Sequence, residues 1–579
     1  MTDVTKLLAD RLAPAFAEVA GEPAGSVDPA IRRSDHADYQ ADAALRLAKQ
    51  LRRNPREVAA EVIERADLTG LVSSAEVAGP GFVNLTVDDA GLGRILETVA
   101  ADERLGVSRV ERPRRVLIDY SGPNVGKELH VGHMRSTIIG DAIARVFEYL
   151  GHEVIRKNHI GDWGTTFGML IEHFVESGAD PSDENFELGD LTEFYQEARQ
   201  RFDGDPEFAD RARRRVVLLQ SGDADTLALW KLFIDESSKH FQAVYDELDI
   251  TLTRDDIAGE STYNDGLPGL VEELDRLGLL VESDGALCLF PEGFTGRDGK
   301  PFPIIVRKQD GGYNYEATDL VAIRRRRRDL HAEQLRYVVA HEQHLRLEML
   351  FQAAREAGWL RPPATAEHIS FGLVLGPDRK RLRTRSGDLP KLADLLDEAV
   401  RRAEAVVIEK APDLPPDERA KVARAVGIGA VKYGDLSADR VKDYMFDLDQ
   451  MVSFDGNTAP YLQYAHARIQ SVFRKGEVDP AELKGVAVRI GHPAERTLAL
   501  RLLEFEGVVH RAADLVELHR IAGYLYELAS TFTGFYEQCP VLRAEDEETR
   551  LSRLVLCDVT ARTLATGLSL LGITAPSRM

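Results

Sequence analysis

Apolar and polar positions along the chain predict a first unit that mixes helices with strands. From Ala43 to Ala66 apolar residues recur at helical spacing, and the break at Asn54-Pro55 divides this stretch into two amphipathic helices. From Glu76 to Val87 a turn leads into a strand of alternating residues. Residues 1 to about 112 are therefore predicted to form a small α+β unit.

The next unit, from about 113 to 395, opens with the pattern of a strand, a polar turn, a helix and a second strand. Val116 to Tyr120 is β-branched and aromatic, and apolar residues then recur at helical spacing until Gly151 ends the helix. His152 starts another apolar run. This order predicts the βαβ unit of a parallel sheet, in which ligands bind where the first strand feeds the helix.

Helical patterns fill most of the remaining chain. Residues 178 to 292 are rich in charged residues at helical spacing and predict a helical insertion in the sheet. Strand, turn and helix patterns return between 303 and 359. From about 396 to 579 the spacing supports a helix bundle and nothing more specific.

Length and composition predict an ordinary globular protein. Its 579 residues correspond to roughly three to four domains, and 44% hydrophobic with 29% charged residues is a typical composition. No apolar run is long enough to span a membrane, and the N-terminus lacks the basic start and apolar core of a signal peptide. We therefore expect a cytoplasmic protein without membrane contact.

Charge and cysteine content narrow the classes of partner and site. The net charge of −23 argues against broad, non-specific nucleic-acid binding, but local basic patches leave a specific RNA partner open. Cys288, Cys539 and Cys557 are far apart and odd in number, so neither a disulfide framework nor a CxxC zinc site is supported. His341 and His344 lack the HExxH spacing of a zinc site.

Polar residues of the turn before the first helix predict a nucleotide phosphate site. The turn holds Asn124, Lys127, His130, Gly132 and His133. Free backbone N–H groups and the positive end of the helix dipole favour an anion there, and the ammonium and imidazoles add donors. The spacings GxxxxGK[ST] and GxGxxG are both missing, so a common NTPase loop and a dinucleotide fold are unlikely.

The segment SGPNVGKELHVGH and the 38 residues after it, 134–171, resemble the signature region of arginyl-tRNA synthetases, with HVGH standing where class I synthetases have HIGH. The signature residues are Pro123, Asn124, Val125, Gly126, Lys127, Glu128, Leu129, His130, Val131, Gly132 and His133. The resemblance continues over the whole chain. It implies a tRNA-contacting N-terminal α+β domain (1–112), a Rossmann-type α/β catalytic domain (113–395), a helical connection (396–452) and an all-α anticodon-binding domain (453–579).

The resemblance also implies an arginine pocket and RNA contacts. It places Tyr315, Asp319 and Gln343 in the pocket, with Asn124 and Asp119 opposite. A carboxylate such as Asp319 can hold a guanidinium through two parallel hydrogen bonds, although without the resemblance Asp319 would be a helix cap or a surface acid. The candidate contacts to tRNA loop bases, each equally explained by packing, are Tyr461, Gln463, Tyr464 and Arg468.

A basic loop resembles the second class I signature, KMSKS. Arg381, Leu382, Arg383, Thr384 and Arg385 stand in its five places, so Thr384 replaces the second lysine. The loop alone would be interpreted as an ordinary basic surface turn. With the resemblance, Arg381, Arg383 and Arg385 are candidates for contacting ATP phosphates, and the missing charge is assigned to Lys127.

Five consecutive arginines, Arg324 to Arg328, cannot share one face of a helix. They favour a solvated helix end, from which one or two arginines touch tRNA phosphates.

The implied reaction joins arginine to its tRNA in two steps. Arginine and ATP give arginyl-adenylate and pyrophosphate, and the arginyl group then passes to the 2′-hydroxyl of the terminal adenosine. His130, His133 and Lys127 would steady phosphoryl oxygens, Mg²⁺ would accompany ATP, Gly132 would leave room for adenine, and no zinc is expected. A monomer that needs bound tRNA for activation is expected.

Three alternatives remain open at this point. They are an active paralogue that serves a tRNA-dependent side pathway, a tRNA-binding pseudo-synthetase, and a generic Rossmann nucleotidylyltransferase. The last would not explain the helical C-terminal region.

Overall fold

The computed structural model describes residues 3–178, 191–296, 299–383 and 389–579. The first unit is α+β, as predicted. Its helices are α1 Val4–Ala20, α2 Ala43–Leu51, α3 Pro55–Arg65 and α4 Asp89–Ala101, and its strands are β1 Ile31–Arg33, β2 Tyr39–Ala41, β3 Val72–Ala78 and β4 Phe82–Val87. The strands form an antiparallel sheet in the order β1-β2-β4-β3.

Local sequence explains the helix break and the strand of this unit. The Asn54 side chain accepts a hydrogen bond from the backbone N–H of Arg56 at 3.0 Å, and Pro55 occupies the first position of α3. Along β4, buried and partly exposed residues alternate. The two helices and the alternating strand are confirmed, but residues 76–78, predicted as part of the turn, belong to β3.

The next unit is built on a parallel sheet. Its elements are, in chain order, β5 Arg115–Asp119, α5 Val131–Tyr149, β6 Glu153–Lys157, α6 Thr165–Ser177, α7 Leu191–Gly204, α8 Pro206–Ser221, α9 Ala224–Glu247, α10 Leu267–Arg276, β7 Val281–Ser283, β8 Ala286–Leu289, β9 Ile304–Arg307, α11 Tyr315–Arg328, β10 Gln334–Tyr337, α12 His344–Glu356, β11 Thr365–His368 and β12 Val374–Leu375. Parallel pairing in the order β11-β10-β5-β6 confirms the predicted βαβ unit.

A small antiparallel sheet, in the order β7-β8-β9, lies outside the parallel one. The hairpin between β7 and β8 turns at Asp284 and Gly285, whose φ angles are 50° and 74°. An Asp-Gly pair suits this turn because both positions need positive φ. The strand before α11, β9, pairs with β8 and so belongs to the small sheet, not to the parallel one.

The C-terminal region is helical, as predicted. Its elements are α13 Leu392–Lys410, α14 Pro416–Leu436, β13 Tyr444–Met445, α15 Leu448–Met451, α16 Ala459–Gly476, α17 Pro493–Leu502, α18 Phe505–Leu515, α19 His519–Gln538 and α20 Glu547–Leu570. The short strand β13 pairs in parallel with β12. Among the described residues, no helix has the length and apolar character needed to cross a membrane.

Helix α5 joins the parallel sheet to the C-terminal helices. Arg135 Nε lies 2.8 Å from Asp435 Oδ1, and both side chains are buried. Farther along α14, the ammonium of Lys432 donates to the carbonyl oxygen of Gly572, just after α20, at 2.7 Å. The helix that follows the predicted phosphate turn is thus tied to α14, and α14 is tied in turn to the C-terminal end of the chain.

The N-terminal unit packs on the C-terminal helices. The Glu506 carboxylate on α18 accepts from the backbone N–H of Asp3 at 3.0 Å and from the Ser108 hydroxyl at 2.7 Å. On α17, Arg496 donates to the carbonyl oxygen of Val87 at 2.9 Å. The two ends of the chain therefore form one interface.

The five-arginine run of α11 is not a solvated helix end, and that prediction is wrong. Arg324 and Arg328 both pair with Glu273, at 3.2 and 2.6 Å. Arg326 is 1% exposed and pairs with Asp119 at 2.6 Å. Arg325 and Arg327 donate to main-chain oxygens. The run is bonded within the protein because acids from distant segments converge on it.

Candidate active site

Two imidazole rings hold the turn between β5 and α5. His130 is the N-cap of α5, and its Nδ1 accepts from the backbone N–H of Gly132 at 3.0 Å. The Nδ1 of His133 accepts from the backbone N–H of His130 at 3.2 Å. The rings stack with 3.9 Å between their centroids. The start of α5 is therefore capped by the side chains that were predicted to face phosphate.

The environment keeps both rings neutral near pH 7. Burial lowers the pKa of His133 to about 3, and so do the neighbouring His130 ring, beside which a second protonated imidazole is unfavourable, and the ammonium of Lys127. Burial, Lys127 and Arg381 lower the pKa of His130. Because each Nδ1 accepts a hydrogen bond, the ring proton is assigned to Nε2. Each ring can thus donate one hydrogen bond from Nε2 to an anion.

Backbone N–H groups at this helix start are already bonded, contrary to the prediction. The N–H of Val131 donates to the carbonyl oxygen of Pro390 at 3.0 Å, and that of His133 donates to the carbonyl oxygen of His130 at 2.8 Å. A Cβ added at Gly132 would lie 2.8 Å from the His130 ring, so this glycine makes room for the capping ring. At this helix start the ring Nε2–H groups, and not these backbone N–H groups, are therefore available to an anion.

A cleft of about 520 Å³ opens at the carboxyl ends of β5 and β10. It brings together residues from β5, from the first turns of α5 and α11, and from the turn after β10. The sequence-predicted residues among its lining are Asp119, Asn124, Gly132, His133, Tyr315, Asp319 and Gln343. Residues that are 200 positions apart in sequence thus meet at one edge of the sheet, as expected for this type of fold.

Lys127 lines an adjoining cleft of about 840 Å³, which shares Asn124 and Tyr315 with the first. Its Nζ lies 4.1 Å from the ring centroid of Tyr195 on α7. In the described part of the chain, Lys127 forms no ion pair. The ammonium is therefore held by an aromatic face beside the imidazoles whose pKa values it lowers.

The basic loop borders the imidazole turn. Arg381 and Arg383 are exposed, and the charge of Arg381 contributes to the lowered pKa of His130. Beyond the loop, the backbone N–H of Leu392 donates to the carbonyl oxygen of Leu129 at 2.9 Å. The predicted positions Thr384 and Arg385 lie outside the described residues.

Other signature residues support the turn. Val125, Leu129 and Val131 are buried. The Glu128 carboxylate pairs with the ammonium of Lys391 at 2.8 Å. The pair of Glu128 with Lys391 attaches the signature segment 123–133 to the chain that follows the basic loop.

Asp119 is not available to bind a substrate guanidinium, so this assignment is corrected. Its carboxylate pairs with the buried guanidinium of Arg326 and also accepts from the backbone N–H of His159 at 3.3 Å. A carboxylate that already neutralises a buried cation would leave that cation unpaired if it bound a second one. Asp119 therefore supports the floor of the cleft.

The three predicted pocket residues surround a guanidinium of the protein itself, that of Arg346 on α12. Nη1 of Arg346 donates to Asp319 Oδ2 at 2.7 Å, and Nε donates to Gln343 Oε1 at 3.2 Å. Its Cζ lies 5.1 Å from the ring centroid of Tyr315. The groups predicted to recognise arginine are therefore arranged as a guanidinium site.

Glu260 also lines both clefts and was missed from the sequence. Burial and the nearby charges of Asp319 and Asp162 raise the pKa of Glu260 to about 7. It belongs to a 3₁₀ segment, Glu260–Gly266, which has no helix or strand periodicity. No sequence signal could have identified this carboxylate.

The candidate RNA contacts of α16 divide into exposed and buried side chains. Tyr464 and Arg468 are exposed and Tyr461 is partly exposed. Gln463 is fully buried and donates to the carbonyl oxygens of Ala425 and Thr574, at 2.9 and 2.7 Å. Gln463 is therefore a packing residue, because no surface of it reaches RNA.

The histidines near the cleft do not form a metal cluster with neighbouring acids. His344 and His368 approach with 3.0 Å between their Nδ1 atoms, and His341 stacks on His344. Over the described ranges, no group of three or more His, Cys, Asp or Glu side chains is placed to hold a metal ion.

Family models match almost the whole chain in the order of its units. The arginyl-tRNA synthetase N-terminal domain matches residues 2–87, the catalytic domain of class I (R) tRNA synthetases matches 95–448, and the DALR anticodon-binding domain matches 462–579.

Full-length relatives and solved structures agree with these models. The chain is 53% identical to an arginine–tRNA ligase of Thermobifida fusca and 47% identical to that of Escherichia coli K12, with complete coverage of both chains in each comparison. It superposes on the Plasmodium falciparum arginyl-tRNA synthetase with a TM-score of 0.85 and 28% identity, covering 100% and 99% of the two chains. The Thermus thermophilus arginyl-tRNA synthetase gives 0.81 and 27%, covering 99% and 100%.

Proposed function

Because the chain belongs to the arginyl-tRNA synthetase family and is an arginine–tRNA ligase, we propose that arginine and ATP meet in the 520 Å³ cleft. The observation that carries this proposal is the meeting, in one cleft, of the imidazole turn with an array of acidic and aromatic groups around a guanidinium. The arginine carboxylate would attack the α-phosphorus, and pyrophosphate would leave. The 2′-hydroxyl of the tRNA terminal adenosine would then take the arginyl group and release AMP.

The phosphate side of the site is assigned to neutral donors and nearby cations. Nε2–H groups of His130 and His133 would donate to phosphoryl oxygens, while Lys127, Arg381 and Arg383 would balance their charge. These fixed donors favour charge that develops as pyrophosphate leaves. No general base is needed, because the attacking carboxylate is already ionised. Arg385 stays a prediction.

The arginine side of the site is assigned to four predicted residues and one new one. Asp319, Tyr315, Gln343 and Asn124 keep their predicted roles, and Glu260 joins them as a second carboxylate. Two carboxylates and an aromatic face suit a planar cation, which offers several fixed donors. A pocket of this kind selects arginine in one step, so a large editing domain is not required.

Mg²⁺ would enter on the phosphates of ATP and supply further positive charge there. We assign it no protein ligand. We further propose that the protein works as a monomer in the cytoplasm and needs bound tRNA for activation.

Two surfaces would contact the arginine tRNA. The N-terminal unit (1–112) would contact the outer corner of the tRNA, and the helical domain (453–579) would contact its anticodon loop. Tyr461, Tyr464 and Arg468 lie on α16, where aromatic rings can stack on splayed bases. Support for this surface comes from their exposure.

Arginine-dependent exchange of labelled pyrophosphate into ATP tests the proposal. We expect exchange only with both arginine and the arginine tRNA, and a loss of roughly 100-fold or more in Lys127→Ala. Lys231→Ala is the matched control, since Lys231 is exposed on α9. Unchanged exchange in Lys127→Ala would remove the compensating role of this lysine, and no exchange with any amino acid would remove the site assignment.

A further inference from the structure

Arg346 occupies the set of groups that the proposed function assigns to substrate arginine. Its guanidinium donates to Asp319 at 2.7 Å and to Gln343 at 3.2 Å, and its Cζ lies 5.1 Å from the centroid of the Tyr315 ring. Arg346 also lines the cleft. A side chain of the protein thus makes the three kinds of contact expected of the ligand: an ion pair, an amide hydrogen bond and a cation–π contact.

This internal contact is weaker than the one that a substrate can make. Arg346 reaches Asp319 through a single hydrogen bond to Oδ2. In the described part of the chain, Oδ1 of Asp319 accepts no hydrogen bond. The pair is also partly open to solvent, with side-chain exposures of 29% and 20%. Ion pairs this exposed contribute little, so a guanidinium that binds Asp319 through both oxygens can displace Arg346.

We propose that Arg346 is an internal occupant of the substrate guanidinium site, and that arginine must displace it to bind. The proposal rests on the assignment of Asp319, Tyr315 and Gln343 to arginine. A competing occupant reduces the apparent affinity by the fraction of molecules in which the site is open. The reduction is the same for every ligand of the site. Arg346 therefore lowers the affinity for every ligand of the site by the same factor. The geometry of Asp319 determines which ligand binds more tightly than another.

Replacement of Arg346 should change the KM for arginine in opposite directions, depending on whether Arg346 competes with the substrate or supports its site. If Arg346 competes, Arg346→Gln lowers the KM for arginine in tRNA-dependent pyrophosphate exchange by roughly 3- to 10-fold. If Arg346 instead holds Asp319 in its productive position, the same change raises KM. Arg346→Lys keeps the charge without the planar fork and should fall between parent and Arg346→Gln, which also covers the case in which Arg346→Gln folds poorly.

Two further measurements make the test specific. Arg355→Gln removes one positive charge from the exposed side of the same helix, where the guanidinium of Arg355 donates to Gln352, and should leave KM unchanged. Methylguanidine, which has a guanidinium but no carboxylate, should inhibit Arg346→Gln more strongly than the parent by the same factor as KM falls. An equal or raised KM in Arg346→Gln, or a methylguanidine inhibition constant that does not move, would overturn the proposal.

A second variant, Asp319→Asn, tests the assignment of the arginine pocket separately from the role of Arg346. Asp319→Asn should raise KM for arginine steeply, because a neutral amide cannot pair with the substrate cation. If Asp319→Asn binds arginine like the parent, the assignment of the pocket fails. If Asp319→Asn fails to bind arginine while Arg346→Gln shows an unchanged or raised KM, only the role of Arg346 fails.

Discussion

The carboxyl group of Glu260 gives arginine binding a pH dependence. With its pKa raised to about 7 by burial and by nearby acids, Glu260 is mostly protonated below this pH and mostly charged above it. Only the charged form attracts a guanidinium. We therefore expect KM for arginine to fall as the pH rises through about 7, measured by pyrophosphate exchange.

The matched variant for this prediction is Glu260→Gln, which has no proton to lose. Its KM should be higher than that of the parent above pH 7 and nearly flat across the same range. His133 does not interfere, because its lowered pKa of about 3 leaves it neutral throughout. A pH dependence of KM that persists in Glu260→Gln would assign the effect to another group.

Individual residues show what sequence reasoning could and could not reach. The His130 and His133 pair was predicted because both positions fall in a short recognisable turn. The pairing of Asp119 with Arg326 was not predictable, since the two residues lie on different elements and only the folded sheet brings them together. The same limit applies to Gln463, whose amide bonds to the far end of the chain.

Helix α7 of the insertion contributes to the phosphate site through one aromatic ring. Tyr195 lies under the ammonium of Lys127, and a cation–π contact of this kind is worth about 0.5 to 2 kcal/mol. Tyr195→Leu should therefore lower pyrophosphate exchange by roughly 2- to 30-fold. Tyr195→Phe retains the ring and should keep most of the activity.

Two comparisons decide whether Tyr195 acts through Lys127. In a Lys127→Ala background, Tyr195→Leu should cause no further loss. Phe202→Leu removes another ring of α7, one that faces Arg199 and Arg213, and should have no effect on exchange. A further loss in the Lys127→Ala background would mean that the ring supports the site in another way.

Elements with a buried face were predictable, and short or interrupted elements were not. Helix α5 carries apolar residues at helical spacing and β5 is a continuous apolar run, because both are buried in the core, whereas β6 offered only the short apolar pair Val154 and Ile155. The strands of the small sheet are only three or four residues long, which is too short for a period to be recognised. For α11 the sequence suggested solvation, but acids and main-chain oxygens of other segments bond to its arginines, and local sequence does not contain this information.

The molecule as a whole depends on α5, which connects the cleft to the C-terminal helices through a buried ion pair. Arg135 and Asp435 are 2% and 0% exposed in their side chains. Removal of one partner leaves the other charge buried without compensation, so Asp435→Asn should lower the free energy of unfolding by about 3 to 5 kcal/mol. Denaturant unfolding of the full-length protein measures this change.

Two controls test whether the loss of stability in Asp435→Asn comes from a buried unpaired charge or from the loss of any ion pair. Glu398→Gln breaks an exposed pair with Arg401 and Arg402 and should leave the denaturant midpoint almost unchanged, because solvent screens this pair. Arg135→Met combined with Asp435→Leu replaces both charges by apolar groups and should be closer to the parent than Asp435→Asn is. A double variant less stable than Asp435→Asn would contradict this account.

The interface between the two ends of the chain also has a consequence for biosynthesis. Asp3 leaves the ribosome 503 residues before Glu506, its hydrogen-bond partner. At a synthesis rate of about 5 to 20 residues per second, the partner follows roughly 25 to 100 s later. The N-terminal unit therefore folds with this face still open to water, and the nascent chain must keep the face from other contacts until α17 and α18 emerge to cover it.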